Sequence, residues 1–481
     1  MLGAMLVFAP LIKGGNRPFP LLILELAAIV LLLAVFIRRD IRQQLGSPML
    51  AALAVLATLP LLHLIPLPDT LWAYLPGRGF YADAMGAVGA EPARRAISLV
   101  PRATEAAWLT LLVPLAVFIT TVVTPDRRLE KLVRLFIGLA VFQAIIGLAQ
   151  FGSGSLTIFL PPEGPPLRHA YGTYPNYDHL AGFLEMALPI ALALLIANIH
   201  GGGARLRRHH SRILRKRLAQ LFNSGIKFNH AALYAAAALG ILLGLVFTRS
   251  RTGVALAMLG IFLCVIAFAK RVGGERSVRL VTVFSVIGLA LAVEAGLAPV
   301  LARFTDLSVV ADYRWSIFSG TLVGIGEFFP FGSGIGSYPE IFRRFQPGDV
   351  PYFVNHAHNE YLEWLFEGGL PAALLVLAFL VFYLRRWPLL WADEHWSQLR
   401  FMQISAGVSL LLMGLHGLID FNLHIPANAI FFAFLAGVFF HREEPAGAPA
   451  GPKRAPKPKE PGPAAPPPST PPQNAPNPFA E

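Results

Sequence analysis

HAHNEYLEWLFEGGLPAALLVLAFLVFYL, residues 356–384, runs from a polar cluster straight into an apolar segment of membrane-crossing character. Leu370–Leu384 carries no charge, whereas residues 356–369 hold two histidines, an asparagine and three glutamates. A lipid-embedded helix that begins with that chemistry places it at a water boundary, so the side of the membrane it faces governs its reading. On a helical wheel extended back to residue 356, His356, Glu360, Glu363 and Glu367 share one face, and His358, Leu362, Leu365 and Gly369 share another.

The rest of the chain repeats the apolar theme. Of 481 residues, 55% are hydrophobic and 14% are charged. The apolar blocks are too long and too uniform for the alternating strands of a barrel, so the expected fold is all-α, a polytopic transmembrane helical bundle. Spans are expected near 3–12, 20–37, 49–65, 105–123, 132–150, 177–197, 231–248, 252–269, 278–297, 362–384, 401–419 and 429–440, about twelve in number, with the first and last short for a full crossing. They form one domain, 1–442, with a long loop at about 298–361. From Glu443 to Glu481 the chain is rich in Pro, Ala and Gly and lacks the apolar residues of a core, so it is expected to be a disordered tail.

Charge distribution orients the bundle. Arg38, Arg39 and Arg42, then Arg127, Arg128 and Lys131, the run RLRRHHSRILRKR at 205–217, Lys270, Arg271 and Arg276, and Arg385 and Arg386 all fall on alternate joints. By the positive-inside rule those joints and both termini face the cytoplasm. The net charge of +12 is therefore a topological signal, and no nucleic-acid partner is expected. Met1–Leu11 leads into further spans without an A-x-A-like site, so no cleavable signal peptide is expected. The single cysteine, Cys264, lies inside an apolar block and excludes disulfides.

This orientation sends the remaining polar residues outward: Arg168, His169, Asn176, Asp178 and His179; Arg249 and Arg251 in TRSRTG at 248–253; Asp312 and Arg314; His356 and His358; and Asp420 and His424. Arg251 sits between two apolar blocks, where burial of an arginine is costly unless an anion offsets it. The glycines of PFGSGIGSYPEIFRRFQ suggest a phosphate loop, but no GK[ST] follows, and a tight turn within the long loop fits better. His356 with the glutamates at 360, 363 and 367 has metal-ligand chemistry. Yet HExxH, cysteine ligands and DxD are all absent, and neither a metal nor another cofactor is expected.

The segments RHAYGTYPNYDHLAGFLEMALPIAL, SRTG, RWSIFSGTLVGIGEFFPFGSGIGSYPEIF, HAHNEYLEWLFEGGLPAALLVL and HGLIDFNLHIPANA together resemble the bacterial O-antigen ligase and O-antigen polymerase superfamily, over about residues 165–440. His358, Asn359 and Gly369 match the ligase pattern H-[NSQ]-x9-G. Asp178 stands where the family has a second asparagine, and the ligase ending G-x-x-GTT reads GLPAA here. Ligase, chain-extending polymerase and protein oligosaccharyltransferase therefore stay open.

The resemblance implies an inner-membrane enzyme whose site faces the periplasm. It moves a glycan from a polyprenyl diphosphate carrier to a hydroxyl on a glycan, a lipid A-core or a protein, without a metal and with inversion. It implies His358 as base or acceptor-positioning residue, Arg168, Arg251 and Arg314 on the diphosphate, and His356 and Asn359 beside the substrate. That chemistry suits the residues: guanidinium groups stabilise a leaving diphosphate bidentately, and a histidine takes the acceptor's proton. A non-catalytic transporter, with Glu25, Glu185 and Glu294 at span midpoints, is the rival reading.

Overall fold

The computed structural model describes residues 1–36, 44–90, 94–153, 169–206, 230–272, 286, 309–392 and 396–443. Arg168, the expected span at 278–297, most of the basic run at 205–217 and the tail from residue 444 lie outside the described residues.

The long helices are α1 (Leu2–Leu11), α2 (Pro18–Phe36), α3 (Ser47–His63), α4 (Pro101–Val122), α5 (Asp126–Ser153), α6 (Tyr177–Leu206), α7 (His230–Thr248), α8 (Arg251–Val272), α9 (Val309–Phe328), α10 (Glu360–Trp391), α11 (Gln398–His416) and α12 (Pro426–Phe440). Eight of them, α2, α4 to α8, α10 and α11, are long and apolar enough to cross a membrane, while α1, α3 and α12 are shorter apolar helices. These eleven fall on eleven of the expected spans. Among the described residues, strand structure is confined to Pro66–Pro68 paired antiparallel with Arg94–Ala96.

Helix α6 is the axis of the bundle. Its apolar window is 94% buried, against 28% for α2 and α10, so α6 is wrapped by protein where α2 and α10 present most of their surface outward. It packs on α7, α8 and α11, while α12 lies against α4 and α11. Small residues allow these close approaches: a Cβ on Gly244 of α7 would fall 2.6 Å from the Ala144 side chain, and one on Gly253 of α8 would fall 2.6 Å from Ala181.

A second apolar cluster belongs to the loop that precedes α10. Phe328, Tyr338, Phe342 and Phe366 are buried together, with Tyr338 stacked on Phe342 at 4.8 Å. Phe345 packs against the same cluster, so the aromatic residues of the long loop have a core of their own.

The glycine-rich stretch is a turn, and it fits into a break in α10. Gly369 has φ 59° and ψ −146°, a conformation that only glycine adopts readily. The break frees backbone groups that the turn then satisfies: Ser333 N donates to Phe366 O, Gly334 N to Glu367 O, and Leu370 N to Pro330 O. The buried Arg78 fixes the other side of the turn, donating to Ile97 O at 2.7 Å and to Gly332 O at 2.9 Å.

The helical wheel drawn through residue 356 needs correction. α10 begins at Glu360, because Asn359 is its N-cap and accepts hydrogen bonds from Tyr361 N and Leu362 N, both at 3.0 Å. His356 and His358 precede the helix on a loop, so His358 does not share a helical face with Leu362, Leu365 and Gly369.

Candidate active site

The start of α10 is fastened to the segment that follows α11. Glu360 N donates to Gly417 O at 2.8 Å, Asn359 Nδ2 to Leu418 O at 2.8 Å, and the Tyr361 hydroxyl to Gly414 O at 2.6 Å. Leu423 N donates to Glu360 Oε1 at 2.6 Å. HAHNE and DFNLH, about sixty residues apart in the chain, therefore form one surface. Asn359, expected beside substrate, spends its side chain on this junction and on the helix cap.

Phe421 is the hub of that surface. Its ring stacks on His356 at 4.4 Å and meets His358 and His179 edge-on, both at 5.0 Å. His358 has φ 52°, a left-handed conformation uncommon outside glycine. Such strain persists where surrounding contacts enforce it, and it concentrates at functional sites.

On one side of Phe421, His358 Nδ1 lies 3.6 Å from Asp420 Oδ1, and the other Asp420 oxygen lies 3.8 Å from His416 Nε2. Both separations exceed a direct hydrogen bond, so these contacts are electrostatic. His416 Nδ1 continues the series to Glu185 on α6, with both carboxylate oxygens at 3.0 Å. Burial raises the Asp420 carboxyl, but His358, His179 and His416 outweigh it and hold the group well below the usual carboxylate range. Asp420 is thus ionised at any physiological pH.

Asp178 links this series to the arginine turn. It sits beside the Ser250 hydroxyl and in the field of Asp420, His416 and Arg314. Within the turn Ser250 N donates to Thr248 Oγ1 at 3.1 Å, and Ser250 Oγ accepts from Gly253 N at 3.2 Å. That cap starts α8 at Arg251. A guanidinium on the first residue of a helix adds to the positive end of the helix dipole, an arrangement that favours an anion. Arg314, half-buried on α9, also acts on Tyr352. His169 packs on the same turn, its Nδ1 3.0 Å from Thr248 O and its ring stacked on Tyr177 at 4.3 Å.

On the other side of Phe421 lies a second cluster. His356 Nδ1 is 2.9 Å from Glu363 Oε1, and the same oxygen is 3.2 Å from His424 Nε2. His424 Nδ1 is 3.1 Å from Glu360 Oε2. Burial disfavours the charged imidazole of His424, yet the carboxylates of Glu363 and Glu360 dominate and push its pKa up to about 10. Glu367 faces away, its Oε1 accepting from Tyr338 N at 2.8 Å.

Of the expected site residues, His356, His358 and Asn359 come together, and Arg314 and the Arg251 turn join them through Asp178. Sequence reasoning placed Asp420 and His424 on the outward face without giving them a role, left out His416, and read Glu185 only as a span-midpoint charge of the rival transporter. The i, i+4 spacing of His416 and Asp420 in HGLID was the available signal.

No curated protein matches the chain. Residues 236–377, which include the Arg251 turn, Arg314 and the whole HAHNE segment, match the family model described as O-antigen ligase, so this part of the chain is similar to the O-antigen ligase family.

Proposed function

We propose that the chain transfers a glycan from a polyprenyl diphosphate carrier to an acceptor hydroxyl on the periplasmic side of the bacterial inner membrane. The observation that carries this reading is His358, held in a left-handed conformation with Nδ1 toward Asp420 and its side chain 25% exposed, enough for a hydroxyl to reach it. The ionised Asp420 orients the ring and stabilises the imidazolium that forms as it takes the acceptor's proton. The freed oxygen attacks the anomeric carbon from the face opposite the carrier. The bond from that carbon to the diphosphate oxygen breaks, and its electron pair leaves with the diphosphate. Arg251, with Arg168 and Arg314, neutralises that leaving group, so this step needs no metal. A single displacement inverts the anomeric centre.

A protein hydroxyl as acceptor fits the same geometry. A non-catalytic transporter is the rival reading; of its three span-midpoint carboxylates, Glu185 pairs with His416 and Glu25 lies 3.3 Å from Thr110, while Glu294 lies outside the described residues. The test is a purified, lipid-reconstituted chain given a polyprenyl diphosphate disaccharide and a glycan acceptor. Release of polyprenyl diphosphate with an inverted product linkage supports the proposal. Retention of configuration, or passage of intact donor across the bilayer without turnover, opposes it.

A further inference from the structure

We infer that His356, Glu363 and His424 form a binding site for a first-row divalent cation, zinc foremost, that clamps the HAHNE loop to the segment after α11. Each of the three residues offers a ligand atom within 4.8 Å of those of the other two, and Glu363 Oε1 lies 2.9 Å from His356 Nδ1 and 3.2 Å from His424 Nε2. Two imidazoles and one carboxylate, with a coordination position left over, is a zinc donor set. Metal–ligand bonds of about 2.0–2.2 Å place tetrahedral ligands about 3.3–3.5 Å apart. The observed contacts of 2.9 and 3.2 Å at Glu363 Oε1 need to open by only a few tenths of an ångström.

The surroundings are those of a prepared centre. Metal-bound histidines commonly direct their second nitrogen at a carboxylate, which fixes the ring and raises its basicity. His424 Nδ1 faces Glu360 Oε2 at 3.1 Å, yet both atoms are buried with no aligned hydrogen bond. Glu360 itself is 5% exposed. A small rotation of the His424 ring toward a cation at Nε2 aligns that pair. The ligand carboxylate is likewise held, its Oε2 accepting from Ala357 N at 2.7 Å.

The site is separate from the proposed chemistry. Phe421 has His356 on its face and His358 at its edge, and the reacting groups gather around Asp420, so the cation takes no part in the displacement. Its effect is to join Glu363 of α10 and His356 of the loop to His424 of the segment after α11. The inference stands whether or not the transfer reading holds.

The test measures metal and not activity. The full chain in detergent is stripped with EDTA, exchanged into chelator-free buffer at pH 7.5 and titrated with zinc by calorimetry. One zinc per chain is expected, with affinity falling at least about 100-fold in Glu363→Gln and His424→Gln, and about 10- to 100-fold in Glu360→Gln, where only the outer partner is altered. Cobalt(II) added to the wild-type chain reports the same site without a variant, through visible absorption of a four- or five-coordinate ion that zinc abolishes. Failure of the wild-type chain to bind zinc or cobalt overturns the inference, as does undiminished zinc affinity in His424→Gln.

Discussion

His358 Nδ1 faces Asp420 Oδ1 across 3.6 Å, and the same carboxylate reaches His416 Nε2 at 3.8 Å. Asp420→Asn keeps the shape and removes the charge that orients the ring and offsets the imidazolium. Transfer is expected to fall by about 10² to 10⁴, the range a positioned base contributes, while the amount of inserted protein is unchanged. A rate within threefold of wild type would separate Asp420 from the chemistry.

The depressed pKa of Asp420 carries a stability consequence with a definite sign. Its contribution is present above the ordinary carboxylate range and is lost only as pH falls through the lower folded value. Between pH 5 and 8 the Asp420 carboxyl itself stays ionised. The melting temperature of wild type should therefore stay above that of Asp420→Asn as pH falls from 8 to 5, and convergence toward pH 5 would show that the carboxyl is being protonated there.

His424 behaves in the opposite sense. Its folded pKa, about 10, lies above the ordinary histidine value, so its stabilisation is complete below about pH 6.5 and is lost as pH rises toward 10. In EDTA, the detergent-solubilised chain should lose thermal stability between pH 6.5 and 10, and His424→Gln should flatten that decline. An identical decline in the variant would place its cause elsewhere.

The apolar helices were legible because lipid imposes one rule on every crossing segment, and HAHNE stood out because its polar residues stand against an apolar background. The His416–Glu185 pair was not legible: it joins residues 231 positions apart on helices whose packing sets the contact. Neither was the start of α10. A wheel drawn through 356–369 presumes a continuous helix, whereas Asn359 caps it at one end and Gly369 interrupts it at the other.

That interruption is itself testable. A Cβ on Gly369 would sit 2.1 Å from Pro330 O, and one on Gly332 would sit 2.2 Å from Glu367 O. Gly369→Ala should cost at least about 1–3 kcal/mol from backbone strain alone, before the clash is relieved. The expected readout is a lowered melting temperature and easier proteolysis around residues 330–340. Wild-type stability in Gly369→Ala would mean that the turn does not seat in the break.

Orientation rests on the basic joints and has its own check. Phosphatase fusions at residue 340 should be active, and those at 210, 390 and in the tail inactive. An inactive fusion at 340 would put the histidines on the cytoplasmic side and remove the basis for a periplasmic reaction.

Arg251→Lys distinguishes bidentate recognition from charge alone. Lysine keeps the charge but loses the planar fork, so transfer should drop markedly at unchanged insertion, and Arg251→Ala should drop further. Full activity in Arg251→Ala would take this residue out of the diphosphate site.

The central claim concerns His358, and glycan transfer from a purified polyprenyl diphosphate donor by His358→Ala and His356→Ala tests it most directly. Loss of a positioned base removes about 10² to 10⁴ in rate, equivalent to roughly 3–5 kcal/mol of barrier. His358→Ala should therefore show no detectable transfer while the protein remains inserted and folded, and His356→Ala should lose less. Near-normal transfer by His358→Ala, or a dead His356→Ala beside an active His358→Ala, would contradict the assignment.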